Sequence, residues 1–446
     1  MSKKRAKAAR PDRSKAGLRS LSFGGLALAH FFAVLNDNTY RWFVTPIGYH
    51  VLGHQYRTLI LTLGIVCFAL PYILLIAPSG YLADRFSKRT VIAGCMLCEA
   101  AILAFGIISI LLSSVVLVFT ALALMGVAGA LMAPATFGAI PETVREEWIS
   151  AANGGLGLAN VLAAVAGSVL GNTLYVLTAP RGTHLWWVAG GILMIITALG
   201  WGAALLIEKR PPADPQRPIP KRVFAQSIHD LKLLAARRDL LGAAAASAFL
   251  WFLAAMSQVN VYLFATTTLH ISQAAVGPLL GVLAAGVAIG SVIAGVWSGH
   301  DVEPGITPIG AAGIVVSSLI MFFTPYVAAA GSPFAYYWSC GGLVLMGMSA
   351  GIYDIPVRAY LQDYSSRTTR GEILGAGNFF IFTSMLAAAG LFYVLRSLLA
   401  IGAPTIFLIA GGLTAVATIV ILYYLHRQAA EALAKPLRGL RRLMGR

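Results

Sequence analysis

The sequence predicts an all-α integral membrane protein with about twelve transmembrane helices, arranged as two pseudo-symmetric bundles of six. Three observations indicate this fold class. The chain has 446 residues, of which 58% are hydrophobic and only 11% are charged, whereas a soluble protein carries about 25% charged residues. Apolar segments of the length that a bilayer requires, about 20 residues, recur along the chain. A basic linker divides these segments into two groups of six.

Twelve apolar segments are candidate spans. Several of them exceed 20 residues, which indicates tilted helices or helices that extend beyond the hydrocarbon core. In chain order the segments are 21–49, 57–82, 90–112, 114–139, 149–178, 185–207, 239–266, 271–298, 304–327, 334–362, 371–398 and 402–425.

Basic residues predict the orientation of these spans. The net charge is +16, and Lys and Arg cluster at the N-terminus, in the linker between the two groups, and from Arg427 onward. Cytoplasmic loops of membrane proteins carry such an excess of Lys and Arg, so both chain termini are expected to be cytoplasmic. The same distribution explains the basic charge without nucleic acid, which we do not expect as a partner, and favours contact with anionic membrane lipids.

The chain therefore divides into five predicted regions. They are a basic cytoplasmic tail at 1–20, an N-terminal six-helix bundle at 21–207, a cytoplasmic linker at 208–238, a C-terminal six-helix bundle at 239–425 and a basic cytoplasmic tail at 426–446. Proline residues prevent the first part of the linker from being helical throughout. From Lys221 its apolar residues recur at helical spacing between basic ones, which predicts an amphipathic helix on the inner membrane face.

Weak internal similarity relates the two halves. Span 4 ends with "APATFGAIPETVREEW" and span 10 with "DIPVRAYLQDYSSR", and each has a proline late in the span, Pro134 or Pro356. A short charged loop and then an asparagine, Asn153 or Asn378, follow in both halves. Paired six-span halves are typical of secondary transporters, in which the halves move against each other around a central site.

Polar residues in the first span predict a substrate-binding site. The stretch "FFAVLNDNTYRWF" carries Asn36, Asp37, Asn38 and Arg41 in an apolar context. A charge at mid-bilayer costs about 2.5–3.5 kcal/mol, so charged residues in a span are expected to border a water-accessible path. Asp37 and Arg41 are four residues apart with the acid first, which is the favourable order for a helical ion pair.

Span 10 repeats this arrangement with Asp354 and Arg358, and two such positions predict a path that holds a polar or zwitterionic group. Structural contacts between helices, or snorkelling of the arginines to a membrane interface, would explain the same pattern. Glu99 in span 3 either binds a proton or is a buried carboxyl bonded to a neighbouring helix. The further substrate-binding candidates are Asn153, Gln258 and Asn378.

The loop between spans 2 and 3 reads "GYLADRFSKR" and resembles the signature loop of the major facilitator superfamily. Gly80 would allow close helix approach. Asp84 would accept a hydrogen bond from a helix N-terminus or a basic partner across the seam between the halves, and this latch would break when the conformation changes. An ordinary basic cytoplasmic loop is the alternative. The candidate gating residues are Gly80, Asp84, Arg85, Lys88 and Arg89.

With these residues, the chain resembles the bacterial lysophospholipid transporter branch of that superfamily over roughly residues 20–425. The stretches that carry the resemblance are "AVLNDNTYRW", "APATFGAIPE", "ANGGLGLANVLAAVAGSVLG", "DVEPGITPIG" and "GIYDIPVRAYLQ". The resemblance implies an inner-membrane carrier without a cofactor that moves lysophospholipids, such as lysophosphatidylethanolamine, between leaflets by alternating access. It also implies a cytoplasmic acyltransferase as partner. Some relatives have a basic residue where this chain has Gln258, so Arg358 would hold the phosphate here.

Two other functions stay open from the residues. Asp37, Glu99 or Asp354 could carry a proton in the coupled transport of another small amphiphilic molecule. A membrane-embedded lipid enzyme would need a nucleophile, a base or a metal constellation. The eight histidines are scattered, and Cys95 and Cys98 have no partner cluster, so we expect neither a catalytic nor a metal site.

Overall fold

The computed structural model describes residues 17–145, 148–178, 185–216, 231–272, 275–298, 306–364 and 370–419. Within these ranges the chain forms helices joined by short turns. The N-terminal half contains α1 (Leu21–Leu52), α2 (Arg57–Leu74), α3 (Ile76–Arg85), α4 (Lys88–Leu111), α5 (Val115–Thr143), α6 (Ile149–Thr178) and α7 (Trp186–Ala204). The C-terminal half contains α8 (Arg238–Thr267), α9 (Val276–Ser298), α10 (Thr307–Val327), α11 (Pro333–Asp363), α12 (Arg370–Tyr393) and α13 (Ala403–Ile419). A π-helical turn at Val394–Leu398 follows α12.

These helices correspond to the twelve predicted spans, because α2 and α3 together form the second one. Of the helices that the structure describes, ten are long and apolar enough to cross a membrane. α1 has 32 residues, which is ample length, but it carries the polar residues of span 1. α13 is described only as far as Ile419. The predicted all-α membrane fold is therefore confirmed.

The second span is broken at Leu75, although the sequence predicts one continuous segment over 57–82. Pro78 has no backbone N–H, so the carbonyl oxygen of Leu74 loses the partner that a continuous helix would give it. Leu75 has φ −106° and ψ 10°, and its N–H donates to the Pro71 carbonyl oxygen at 2.9 Å. The second span therefore consists of two helical segments that meet at a kink.

Serine side chains determine where four of the helices begin. Ser20 Oγ accepts a hydrogen bond of 3.2 Å from the Phe23 N–H at the start of α1. Ser87, Ser114 and Ser332 cap α4, α5 and α11 in the same way. Each cap satisfies a backbone donor that has no partner within its own helix, so these serines fix the positions of the turns at the ends of the bundle.

Glycine residues allow the closest helix pairs to form. In the N-terminal bundle, α1 packs against α6, and a methyl group at Gly167 would come within 2.6 Å of the Leu35 carbonyl oxygen. In the C-terminal bundle, α9 packs against α11, and a methyl group at Gly290 would collide with the backbone of Met348. Small residues at such crossings permit the close backbone approach that stabilises helix pairs in a membrane.

The two bundles repeat the same set of helix contacts. The pairs α1–α6, α2–α5 and α4–α5 of the N-terminal bundle correspond to α8–α12, α9–α11 and α10–α11 of the C-terminal bundle. Between the bundles, α2 packs against α12 and α6 packs against α9. Because α2 corresponds to α9 and α12 corresponds to α6, the pseudo-symmetry converts each of these two contacts into the other. The pseudo-symmetry of the two halves is thus present in the packing itself.

The bundle has two ends, which we name by their connections. The linker face carries the loop at 86–87 and the start of the inter-bundle linker at 205–216, and the opposite face carries the turns at 53–56, 112–114 and 328–332. The predicted C-terminal tail at 426–446 and most of the N-terminal tail at 1–20 lie outside the described residues. The predicted amphipathic helix from Lys221 also lies largely outside them, and only its last part, 231–236, is described as helical.

Candidate functional site between the two bundles

The candidate site lies along the seam where α1 and α2 face α8 and α12. At mid-depth, the ring of Tyr72 on α2 stacks on the ring of Phe382 on α12, with centroids 4.3 Å apart. Gly129 on α5 leaves room beside them, since a methyl group there would lie 2.7 Å from Tyr72 Oη and 3.5 Å from Asp37 Oδ2. The half-buried carboxylate of Asp37 therefore lies next to a contact between the bundles.

Arg41 crosses the seam and does not pair within its own helix. Its Nη2 donates a hydrogen bond of 3.1 Å to Gln258 Oε1 on α8, and its guanidinium lies 5.5 Å from the Trp42 ring centroid. The predicted ion pair between Asp37 and Arg41 is wrong, because no ion pair joins these two side chains in the described part of the chain. Helical spacing permits such a pair without imposing it, and here Arg41 turns towards the other bundle while Asp37 points towards α5.

Aromatic side chains close the seam towards the opposite face. Trp42 and Tyr262 stack with ring centroids 5.7 Å apart, and the hydroxyl oxygens of Tyr49 and Tyr262 form a hydrogen bond of 2.5 Å. Arg57 lies over both tyrosine rings, 5.2 and 5.3 Å from their centroids. We call Trp42, Tyr49, Arg57 and Tyr262 the seal. It joins α1, the start of α2 and α8, so the bundles touch at this level.

The predicted ion pair in span 10 is present. Arg358 Nε lies 2.7 Å from Asp354 Oδ2, and the guanidinium lies 5.5 Å from the ring centroid of Trp251 on α8. The Arg358 side chain is 45% exposed, and that of Asp354 is 20% exposed. Asp354 Oδ1 and Trp251 Nε1 are buried without a hydrogen-bond partner among the described residues. This cluster therefore presents an accessible cation with unused polar atoms beside it.

Asn36 lies inside the N-terminal bundle and not at the seam. Its side chain is fully buried, and its Nδ2 donates to Glu99 Oε1 at 2.6 Å and to Thr197 Oγ1 at 2.9 Å. Thr197 donates its own hydroxyl to the Leu193 carbonyl oxygen, so it must accept from Asn36, which fixes the orientation of the amide. The expected substrate contact of Asn36 is therefore corrected: this side chain joins α1, α4 and α7. Glu99 is a buried carboxyl in the same network.

The other three asparagine candidates are not brought together. Asn38 and Asn153 each donate to a carbonyl oxygen of their own helix at 2.9 Å, and Asn378 is exposed on α12. Within the described contacts, none of the three bonds to Asp37 or Arg358. Asn153 and Asn378 occupy matching positions in the two halves, and the role of all three asparagines in substrate binding stays a prediction.

The loop after α3 is tied to the inter-bundle linker through its backbone. The Asp84 carbonyl oxygen accepts a hydrogen bond of 3.0 Å from the Asp214 N–H, and the Arg85 guanidinium lies 5.7 Å from the Tyr81 ring centroid. A methyl group at Gly80 would meet nothing within 4 Å, so the expected close helix approach at Gly80 is wrong for this conformation. The latch role of Asp84 and Arg85 stays a prediction.

Lys88 is a buried structural cation at the start of α4. It is 8% exposed, its Nζ donates to the Ala83 carbonyl oxygen at 2.7 Å, and it lies 3.5 Å from Glu142 Oε1. These contacts join the end of α3 to α4 and α5. Arg89 is half-buried beside it, and its gating role stays a prediction.

Four residues at the seam are not among the predicted site residues, and three of them have no distinctive signal in the sequence. The four are Tyr49, Arg57, Tyr72 and Phe382. Aromatic residues are common in spans and usually serve only to pack, so residue type does not reveal that Tyr72 and Phe382 join the bundles. Arg57 is the exception in principle, because it is an isolated charge in a loop region that is otherwise nearly free of Lys and Arg.

The seam can bind a polar group but offers little for chemistry on it. Arg358 supplies a cation beside the Trp251 ring of α8, and Asp37 supplies an acid beside the contact between Tyr72 and Phe382. Across the described ranges, no group of three or more His, Cys, Asp or Glu side chains could hold a metal ion. This arrangement fits reversible binding between two bundles that can move.

Known proteins of similar sequence are membrane transporters. Residues 26–390 match the family model of the Major Facilitator Superfamily. The lysophospholipid transporter LplT of Yersinia pestis (strain Pestoides F) is 24% identical over 395 residues, which cover 87% of this chain and 89% of that protein. The protein of the same name from Yersinia pseudotuberculosis serotype I (strain IP32953) is also 24% identical over 395 residues.

Solved structures of similar shape are also transporters. A POT family transporter in complex with a thioalcohol conjugated peptide matches with a TM-score of 0.72 and 13% identity, covering 91% of this chain and 96% of that chain. A bacterial homologue of the iron transporter ferroportin, in an outward-facing state, matches with a TM-score of 0.61 and 16% identity, covering 90% and 98%. At these identities the match demonstrates a shared fold. The family model covers most of the chain and the fold agrees with it, so this chain is a membrane transporter, not an enzyme, and belongs to the Major Facilitator Superfamily.

Proposed function

We propose that this transporter carries lysophospholipids, such as lysophosphatidylethanolamine, between the leaflets of the bacterial inner membrane by alternating access. A lysophospholipid has one phosphate-containing headgroup and one acyl chain. A carrier for it needs a cationic position beside an apolar wall, at a place where two bundles can separate. The similarity to the Yersinia lysophospholipid transporters supports this substrate class.

The observation that carries the proposal is the position of Arg358. Its guanidinium is half-exposed, is oriented by Asp354 and lies over the Trp251 ring. An arginine can bind a phosphate through two hydrogen bonds. Phe249 and Phe252 on the same helix as Trp251 stack on each other with centroids 6.3 Å apart, and such rings suit an acyl chain. Phosphate on Arg358 and an acyl chain along α8 would satisfy both parts of the substrate.

The contacts between the bundles support alternating access. The seal closes the seam towards the opposite face, whereas Arg358 lies nearer the linker-face end of α11 and is accessible. Rocking of two similar bundles would open the seal and cover Arg358 in turn. We place the linker face and both termini in the cytoplasm, on the basis of the basic residues, and expect a cytoplasmic acyltransferase to consume the delivered lysolipid.

Transfer of labelled lysophosphatidylethanolamine across the membrane of reconstituted vesicles tests the proposal. Lipid in the outer leaflet is extracted with albumin, and the protected fraction is measured over time. We expect Arg358→Gln to lower the initial rate at least tenfold, because a hydrogen bond to a charged group contributes about 1.5–3 kcal/mol. Arg238→Gln, an exposed arginine at the start of α8, is the matched control and should transfer at the wild-type rate.

The substrate class is tested in the same vesicles. Unlabelled lysophosphatidylethanolamine should compete with the label, whereas glycerophosphoethanolamine, which lacks the acyl chain, should not. Equal rates in the wild type and Arg358→Gln would refute the assigned site. Competition by the headgroup alone would refute the lysolipid as substrate.

Proton-coupled transport of another amphiphilic molecule is the second candidate. Asp37 follows Asn36, whose side chain bonds to Glu99, and no ion pair joins Asp37 or Glu99 to a basic residue in the described part of the chain. A carboxyl that lies in a membrane-spanning helix without a basic partner is suited to bind a proton. An imposed pH gradient distinguishes the candidates, because coupled transport would respond to the gradient and would lose the response in Asp37→Asn.

A further inference from the structure

A cavity of about 430 Å³ opens at the linker face, between the loop after α3 and the first residues of the inter-bundle linker. Its volume is within the range of small-molecule sites in proteins. Three of its eight lining residues are basic, and none of the eight is acidic. The lining residues are Arg85, Phe86, Ser87, Thr90, Lys209, Arg210, Pro211 and Pro212.

Tertiary contacts hold the walls of this cavity in place. The Glu208 N–H donates to Ser22 Oγ at the start of α1, at 3.0 Å, and the Asp214 N–H donates to the Asp84 carbonyl oxygen, also at 3.0 Å. Lys209 and Arg210 lie between these two anchors. The linker is therefore fixed across the loop after α3, and the cavity is a built feature of the linker face.

The charged residues that line the cavity are all basic, and the acidic Asp84, Glu208 and Asp214 of its walls are not among the lining residues. Arg210 Nη2 forms an ion pair of 2.9 Å with Glu208 Oε2, but the Glu208 side chain is 59% exposed, so solvent screens this pair. Lys209 adds a further positive charge to the lining, and Arg85, which also contacts the Tyr81 ring, is its third basic residue. Like charges that converge on one cavity repel each other, which costs free energy. An anion bound between them would replace this repulsion with attraction.

The cavity also has an apolar side and a position that suits lipid. Phe86 is 44% exposed, and Pro211 and Pro212 extend the apolar lining. The cavity lies where α3 and α7 end and α4 begins, which is the level at which headgroups meet a membrane-spanning bundle. Basic residues next to the ends of spans attract anionic lipids.

We propose that this cavity binds the phosphate of an anionic phospholipid from the leaflet at the linker face. The bound lipid would fasten the linker to the loop after α3 and so stabilise the present arrangement of the N-terminal bundle. This site is separate from Arg358, which belongs to the C-terminal bundle, and it does not depend on the identity of the transported substrate.

Lipid binding by the purified full-length protein in neutral detergent tests the proposal. Dioleoyl phosphatidylglycerol is titrated and the retained lipid is counted by native mass spectrometry, with the thermal unfolding midpoint as a second readout. Dioleoyl phosphatidylcholine, which has a phosphate but no net charge, and inorganic phosphate are the comparison ligands. The variant is Lys209→Gln with Arg210→Gln. The control is Lys232→Gln with Arg238→Gln, which removes two exposed charges outside the cavity.

We expect the Lys209→Gln/Arg210→Gln variant to bind phosphatidylglycerol at least tenfold more weakly than the wild type, because each basic residue near an anionic lipid contributes roughly a fivefold factor. The control pair should keep wild-type affinity, and Lys209→Arg alone should keep most of it. Equal affinity of the cavity variant and the wild type would overturn the proposal. Equal binding of phosphatidylcholine, or phosphate stabilising the protein as well as the lipid does, would overturn the assignment to an anionic lipid.

Discussion

Arg41 of α1 donates a hydrogen bond of 3.1 Å to Gln258 of α8, so a guanidinium of one bundle is held by an amide of the other. Arg41 is only 8% exposed, and a buried cation is costly unless its donors are bonded. The contact lies between mid-depth and the seal, where movement of the bundles would break it. Gln258 is therefore positioned to influence which conformation is favoured.

Replacing Gln258 with leucine should weaken the closed seam. The change removes the acceptor and leaves the buried guanidinium of Arg41 unpaired, which costs about 1.5–3 kcal/mol. Gln258→Glu keeps the acceptor and adds a charge, so it should strengthen the contact and slow transport. Spin labels at the exposed positions Val116 and Tyr337 on the opposite face would report the separation of the bundles. An unchanged distance distribution in Gln258→Leu would contradict this role.

The hydroxyl of Tyr262 should matter more for closure than for folding. Tyr262→Phe removes the hydrogen bond to Tyr49 but keeps the ring that packs on Trp42 and Arg57. One neutral hydrogen bond contributes about 0.5–1.5 kcal/mol, so the unfolding midpoint should fall slightly. The distance between spin labels at Val116 and Tyr337 on the opposite face should shift to longer values in a larger fraction of the molecules. Tyr326→Phe, at a tyrosine that is 73% exposed, is the control and should change neither quantity.

Glu99 should stabilise the N-terminal bundle through its oxygen atoms and not through its charge. Glu99→Gln keeps an acceptor for the Asn36 amide and removes a carboxyl from a buried position, so stability should be equal or higher. Glu99→Leu leaves the Asn36 donor with Thr197 alone and should lower the free energy of unfolding by about 1–3 kcal/mol. Cys98→Ala, at an exposed neighbour, controls for substitution in α4. If Glu99→Leu unfolds at the same midpoint as Glu99→Gln, the network contributes nothing.

Most of the fold could be predicted from the sequence, because hydropathy and span length directly reflect the bilayer. Span 5, predicted at 149–178, coincides with α6. Hydropathy does not reveal the kink at Leu75, because the apolar segment continues through a proline that interrupts the backbone hydrogen bonds.

The site was harder to predict, because sequence spacing reveals partners only within one helix. Asp354 and Arg358 do pair at i, i+4, whereas the same spacing fails for Asp37 and Arg41. The difference depends on which neighbouring helix offers an acceptor, and Gln258 is 217 residues away in the chain. Asn36 is likewise held by hydrogen bonds to residues of α4 and α7. No local sequence pattern reveals where these two helices lie relative to α1.

Gly290 of α9 should be intolerant of any side chain. A methyl group there would collide with the Met348 backbone of α11, and backbone in a close helix pair cannot move aside as a flexible side chain can. Gly290→Ala should therefore separate α9 from α11 and lower the unfolding midpoint and the yield of folded protein. Overpacking of a well-packed core typically costs 1–3 kcal/mol. Gly295→Ala, in the same helix, is the matched control, because a methyl group at Gly295 would meet nothing within 4 Å and alanine also favours the helix. A midpoint for Gly290→Ala at or above that of Gly295→Ala would mean that the α9–α11 crossing is looser than the described contact.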